Sequence, residues 1–208
     1  MRAFNIKVVT YGELPPQNIQ GIMFIANHIS WVDIHALNSL IPLRFIAKSE
    51  IKSWPIFGYL VTKANTLFID RSKRQEAGRI VEITVASLKA GDNLCFFPEG
   101  TTSNGAGSGG ARVLPFKGSV LQAAIDANTH VWPVAIHYPS INNGINTDIA
   151  YAGDTTLIES MRNILRQDRP VITLHFLQTI SASNQNRRDL TQAAYNAIST
   201  KLASTHDL

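Results

Sequence analysis

The sequence predicts an α/β fold, a single domain over residues 1–208 with a largely parallel mixed sheet flanked by helices. Three observations carry this. Apolar runs of strand length alternate with runs of helical period along most of the chain, the order that builds parallel sheets. No internal repeat and no linker divides the chain. With 208 residues and 45% hydrophobic side chains, the chain can bury a core without staples.

Taken in order, residues 4–9 alternate enough for a strand, and a proline-bearing connection over 12–20 leads to an apolar strand over 20–26. A turn carrying His28 opens a helix to about residue 40, ended by Pro42, and a short strand follows over 43–47. Residues 48–63 form an apolar, aromatic segment broken by Pro55 and Gly58. It reads either as a helical hairpin in the core or as an interfacial segment with Trp54, Phe57 and Tyr59 at headgroup depth. A strand over 66–70 precedes a helix that starts at the Ser72/Gln75 capping-box spacing and runs to about residue 89. Then come a strand over 93–97, a helix over 119–128, a strand over 130–137, an edge strand over 148–152, a helix over 156–167 and a strand over 171–177. A final helix over 188–203 puts Leu190, Ala194, Ile198 and Leu202 on one face.

Chemistry concentrates at three turns. The first is Asn27-His28-Ile29-Ser30-Trp31-Val32-Asp33. Five positions apart, His28 and Asp33 cannot share a face inside one helix, so they meet only if His28 precedes it. Ser30 and Asp33 have capping-box spacing, which puts Ser30 at the N-cap and Asp33 in the first turn. Such a pair suits general-base catalysis, with the carboxylate fixing the tautomer of the imidazole. The plainer reading makes Asp33 a capping acid and His28 a turn histidine.

The second turn puts Arg71 at the carboxyl end of a strand beside a helix N-terminus, where anions gather; a solvated surface arginine is the alternative. In the third, Pro98-Glu99-Gly100-Thr101-Thr102-Ser103, Glu99 is suited to hydrogen-bond a polyol and the N–H groups around Gly100 and Thr101 to bind an oxyanion or phosphate. The alternative is a plain turn.

Other signals are excluded or weak. Gly105, Gly107 and Gly110 match G-x-G-x-x-G, yet no helix start follows, and Lys117-Gly118-Ser119 has the wrong order for a P-loop. Residues 104–110 read as a mobile loop beside the site. A net charge of +4, with a sequence pI of 9.3, comes from scattered lysines and arginines, which argues against nucleic acid and suits anionic headgroups or an acidic carrier protein. The lone Cys95 excludes an internal disulfide, points to a reducing compartment and reads as a buried hydrophobe. No signal peptide and no run of the roughly 18 apolar residues that span a bilayer is present, so membrane contact is expected from one side.

With these turns placed at one rim, the sequence resembles the glycerolipid acyltransferases typified by 1-acyl-sn-glycerol-3-phosphate acyltransferase. The matches are Asn27-His28 through Asp33, Phe68 through Arg71, Phe97 through Thr101, Val131 through Val134, and Pro115-Phe116-Lys117. The resemblance implies acyl transfer from acyl-CoA or acyl carrier protein to a lysolipid hydroxyl, giving phosphatidic acid when the acceptor is 1-acyl-sn-glycerol-3-phosphate. It makes His28 the base and Asp33 its orienter. Arg71 and Glu99, Gly100, Thr101 and Thr102 would bind acceptor, with Arg112 and Lys117 as neighbouring cations. It implies no cofactor and no metal, and a cytoplasmic protein peripheral on the inner face of a membrane.

Two departures stand out. Thr102 occupies a position where many family members carry arginine, which makes lyso-ornithine lipid the alternative acceptor. The N-terminal hydrophobic segment common in the family is missing, so the chain either binds membranes peripherally or has been trimmed. Outside this family, a metal-dependent hydrolase using His28, Asp33 and His35 and a non-catalytic lipid-binding module remain as competing classes.

Overall fold

The computed structural model describes residues 4–53, 58, 66–69, 74–105, 113–140 and 145–205. The interfacial reading of Trp54, Phe57 and Tyr59, the Ser72 cap, Arg71 and Arg112 lie outside them.

One mixed sheet organises the chain. Its strands are β1 (Lys7–Tyr11), β2 (Met23–Ala26), β3 (Arg44–Lys48), β4 (Leu67–Ile69), β5 (Leu94–Phe96), β6 (His130–His137), β7 (Val171–Phe176) and β8 (Ile180–Ser181). They lie in the order β1-β7-β6-β2-β5-β3-β4, with β8 alongside β6. Every pairing is parallel except β6 with β7 and β6 with β8.

Alternation along the buried strands builds two cores. Phe24, Ala26, Cys95, Trp132, Val134, Ile136 and Leu174 point to one face, covered by α1 (Val32–Asn38) and α4 (Leu157–Leu165). Met23, Ile25, Leu94, Phe96, Val131 and Ala135 point to the other. There they meet α2 (Arg74–Lys89), α3 (Gln122–Asp126) and α5 (Arg187–Ser204). Leu190, Ala194, Ile198 and Leu202 are the buried stripe of α5, as its periodicity predicts.

Several boundaries differ from expectation. Residues 148–152 form no edge strand: Thr147–Ile149 is a 3-10 turn, and the Tyr151 N–H goes to the Ile29 carbonyl at 2.9 Å, inside the fold. The helix expected over 119–128 begins as the 3-10 turn Gly118–Leu121. At Gly118 a Cβ would lie 2.1 Å from the Thr191 hydroxyl, so the glycine permits close approach of α5. The first strand is shifted to Lys7–Tyr11 by its pairing with β7, and α1 stops at Asn38. The two residues of β8 carry too little pattern to be foreseen.

Candidate active site

The carboxyl end of β2 delivers the first turn. Asn27 is buried and locked to β6, donating to the Ile136 carbonyl at 2.9 Å and accepting the Ile136 N–H at 2.7 Å. His28 follows, before the helix begins, so its ring returns to Asp33 with Nδ1 2.9 Å from Oδ2. The same Asp33 oxygen accepts the N–H groups of Ile29 at 2.8 Å and Ser30 at 3.0 Å, and the other accepts the Tyr138 hydroxyl at 2.6 Å. Asp33 is wholly buried, and four donors offset the desolvation of its charge. An ionised carboxylate only accepts, so the Nδ1–H tautomer is fixed and Nε2 is the basic nitrogen.

The capping box forms only by half. Asp33 reaches back to the N–H of Ser30, but the Ser30 hydroxyl has no partner and Trp31 occupies the N-cap. The carboxylate that orients His28 therefore also pins the backbone of the turn that leads into α1.

The turn after β5 closes over the histidine. Phe97 stacks on the His28 ring with centroids 3.9 Å apart and planes 13° from parallel. Gly100 adopts φ +74°, the left-handed conformation that favours glycine, and its N–H returns to the Phe97 carbonyl at 3.1 Å. That reversal turns Glu99 inward. Glu99 is 2% exposed; one oxygen accepts the His28 N–H at 2.7 Å and the other the Leu114 N–H at 2.9 Å. Burial pushes its carboxyl up to about 7, against the pull of the two N–H groups. The Ser103 N–H binds the His28 carbonyl at 2.8 Å, so both backbone groups of His28 are held by this turn.

Thr101, Thr102 and Lys117 lie at the same rim. Thr101 is exposed there, whereas the Thr102 hydroxyl donates to the Tyr151 carbonyl. Lys117 docks through its N–H on the Pro98 carbonyl at 2.8 Å and is itself exposed. His35 is exposed on α1, edge-on to Trp31. Among the described residues no three His, Cys, Asp or Glu side chains are grouped to hold a metal. Sequence reasoning did not single out Tyr138, Phe97 or Asn27 as functional. Asn27 and Phe97 open two of the matched blocks, and each of the three stands one residue beyond a strand end at the rim.

A profile of the acyltransferase family matches residues 6–137. The chain belongs to this acyltransferase family. It is 34% identical over 205 residues to the lyso-ornithine lipid O-acyltransferase of Pseudomonas aeruginosa, a match covering 98% of this chain and 75% of that one. It is 36% identical over 177 residues to the 1-acyl-sn-glycerol-3-phosphate acyltransferase of Neisseria gonorrhoeae, covering 85% and 67%. The crystal structure of the 1-acyl-sn-glycerophosphate acyltransferase of Thermotoga maritima shares the fold, with a TM-score of 0.68 at 23% identity over 98% of this chain and 75% of that one.

In this acyltransferase His28 presents Nε2 without a partner among the described residues, beside the turn that carries the exposed Thr101. Cys95 is no competing nucleophile. It is buried at the centre of the sheet, and burial together with the Asp33 charge raises its thiol far above the usual range. Burial and Asp33 likewise raise the Tyr138 phenol, which stays protonated and keeps donating to the carboxylate.

Proposed function

We propose that this acyltransferase moves a fatty acyl group from acyl-CoA or acyl carrier protein to the free hydroxyl of a lysolipid, with 1-acyl-sn-glycerol-3-phosphate as acceptor. The supporting observation is the His28–Asp33 pair, whose Nδ1 is held by a buried carboxylate with four donors while Nε2 is left to act. His28 Nε2 takes the proton of the acceptor hydroxyl as its oxygen attacks the thioester carbonyl. The C–O bond forms, the tetrahedral intermediate collapses, the C–S bond breaks, and the imidazolium returns its proton to the leaving thiolate. Asp33 stabilises the imidazolium in between. The thiolate is already a good leaving group, so a base and positioning suffice and no metal or cofactor enters.

Arg71, Arg112 and Lys117 neutralise the acceptor headgroup, and Thr101 orients it; the Gly100 N–H, expected to share that role, is instead engaged by the Phe97 carbonyl. Glu99 shapes the site through the backbone, one oxygen taken by the His28 N–H and the other by the Leu114 N–H. Residues 1–208 act as one catalytic domain on the inner face of the membrane. Among the described residues no helix is long and apolar enough to cross it.

One observation favours a second acceptor. The Thr102 hydroxyl is spent on the Tyr151 carbonyl, and no cation stands at this position. Lyso-ornithine lipid, which carries no phosphate, fits that lining. The experiment is thiol release from long-chain acyl-CoA and acyl carrier protein with each acceptor, for the native chain and His28→Ala. Release that depends on 1-acyl-sn-glycerol-3-phosphate and disappears with His28 supports the first reading, and release with lyso-ornithine lipid alone supports the second. No release with any pair leaves a lipid-binding module.

A further inference from the structure

We propose that the outward face of α4 is the surface through which this acyltransferase contacts an anionic lipid bilayer. The inference rests on the lysolipid reading, because such an acceptor resides in a membrane.

The topology puts α4 beside the catalytic turn. Ala26 pairs with Val134, so β2 and β6 end at the same rim. From there the chain passes Tyr151, whose N–H binds the Ile29 carbonyl, and enters α4. It leaves α4 into β7, which is antiparallel to β6, so Thr173 near its start lies opposite His137 at the end of β6. Asn146, before the helix, donates to Gln167, after it, at 2.6 Å. The segments that lead into and out of α4 therefore both lie at the rim that carries His28.

The helix has one committed face. Ser160 is buried and accepts the Trp31 indole N–H at 3.1 Å, and Ile164 is wholly buried in the core beneath. On the outer side Ile158 is 72% and Leu165 59% exposed, the two most exposed large apolar side chains among the described residues. Seven residues apart, they share a side, and the exposed Arg162 lies between them with Arg166 one step beyond. Arg162, Asn163, Arg166 and Thr155 line an open groove of about 510 Å³ with Asp154 and Glu159. Glu159 is engaged in the capping box, accepting the Thr156 N–H at 2.8 Å and hydroxyl at 2.7 Å; its charge is felt by Arg162, but among the described residues it forms no ion pair with either arginine.

Apolar side chains flanked by guanidiniums match the headgroup layer, where the one enters the acyl boundary and the other pairs with phosphate. A protein partner is disfavoured, since a stable one covers roughly 800 Å² per side and a nine-residue helix offers far less.

The experiment is co-sedimentation of the full chain with vesicles of phosphatidylcholine alone or with added phosphatidylglycerol, using the native protein, Ile158→Ser with Leu165→Ser, and Arg162→Gln with Arg166→Gln. Native protein should bind the anionic vesicles in a salt-sensitive manner. The arginine pair should weaken that binding roughly tenfold or more, and the serine pair should weaken it without altering salt sensitivity. Thiol release with lysolipid dispersed in detergent should be unchanged in both variants. A native chain that binds no vesicle, variants that bind like the native chain, or variants that lose detergent activity would each overturn the assignment. Absence of detergent activity in the native chain would instead overturn the lysolipid reading, with vesicle binding still judging the surface.

Discussion

Replacing Glu99 with glutamine separates the charge of a buried carboxylate from its clamp on His28. The ordinary carboxyl value is 4.5 and burial raises it to about 7, so the folded protein favours the protonated form. Stability from this group is therefore fully present below about 4.5 and is lost as pH rises through about 7. The interval corresponds to about 3 kcal/mol at pH 8. Glutamine does not titrate, so the difference in unfolding free energy should move by about that amount in favour of the variant between pH 4.5 and 8. Against this, an amide accepts through one oxygen only, and its NH₂ must face the N–H of either His28 or Leu114. That costs about 1–3 kcal/mol at every pH. The variant should thus be the less stable protein at pH 5 and match or exceed the native one at pH 8. Its turnover should fall throughout, because the His28 backbone is held less firmly. Urea unfolding of both proteins at the two pH values measures the crossing. Equal pH dependence in native and variant proteins would refute the assignment of a raised carboxyl at Glu99.

Asp33→Asn preserves the scaffold, since its carbonyl can take the donors at Oδ2 and its amide can donate to the Tyr138 oxygen. Turnover should drop by roughly 10²–10⁴ while the melting temperature moves by a few degrees, read from thiol release beside thermal unfolding. Tyr138→Phe keeps the buried ring but strips one donor from the Asp33 carboxylate, lowering stability by about 1.5–3 kcal/mol. It should reduce kcat more than it raises KM for the acceptor, and a pure KM effect would contradict its placement behind the base. Asn27→Ala removes both bonds to Ile136 and leaves a buried N–H and carbonyl unpaired. Denaturant titration should show a loss of at least about 2 kcal/mol, and a neutral result would mean that β6 holds the turn without it.

The sequence by itself determined the order of β1 to β7 and of the helices among them, the meeting of His28 with Asp33, and the buried stripe of α5. These are local matters, set by periodicity, by the five-residue spacing across a helix start and by turn chemistry. It placed Glu99 at the rim but did not show which way its carboxylate points; the left-handed Gly100 and the contact with Leu114, fifteen residues away, decide that. Tyr138 was illegible as a partner because 105 residues separate it from Asp33, and the β2–β6 pairing brings them together. The 148–152 segment reads as a strand by composition, yet the Ile29 carbonyl claims it. Only the tertiary structure decided these points, because a hydrogen bond between distant segments depends on sheet order and register, and neither leaves a periodic trace in the residues it joins.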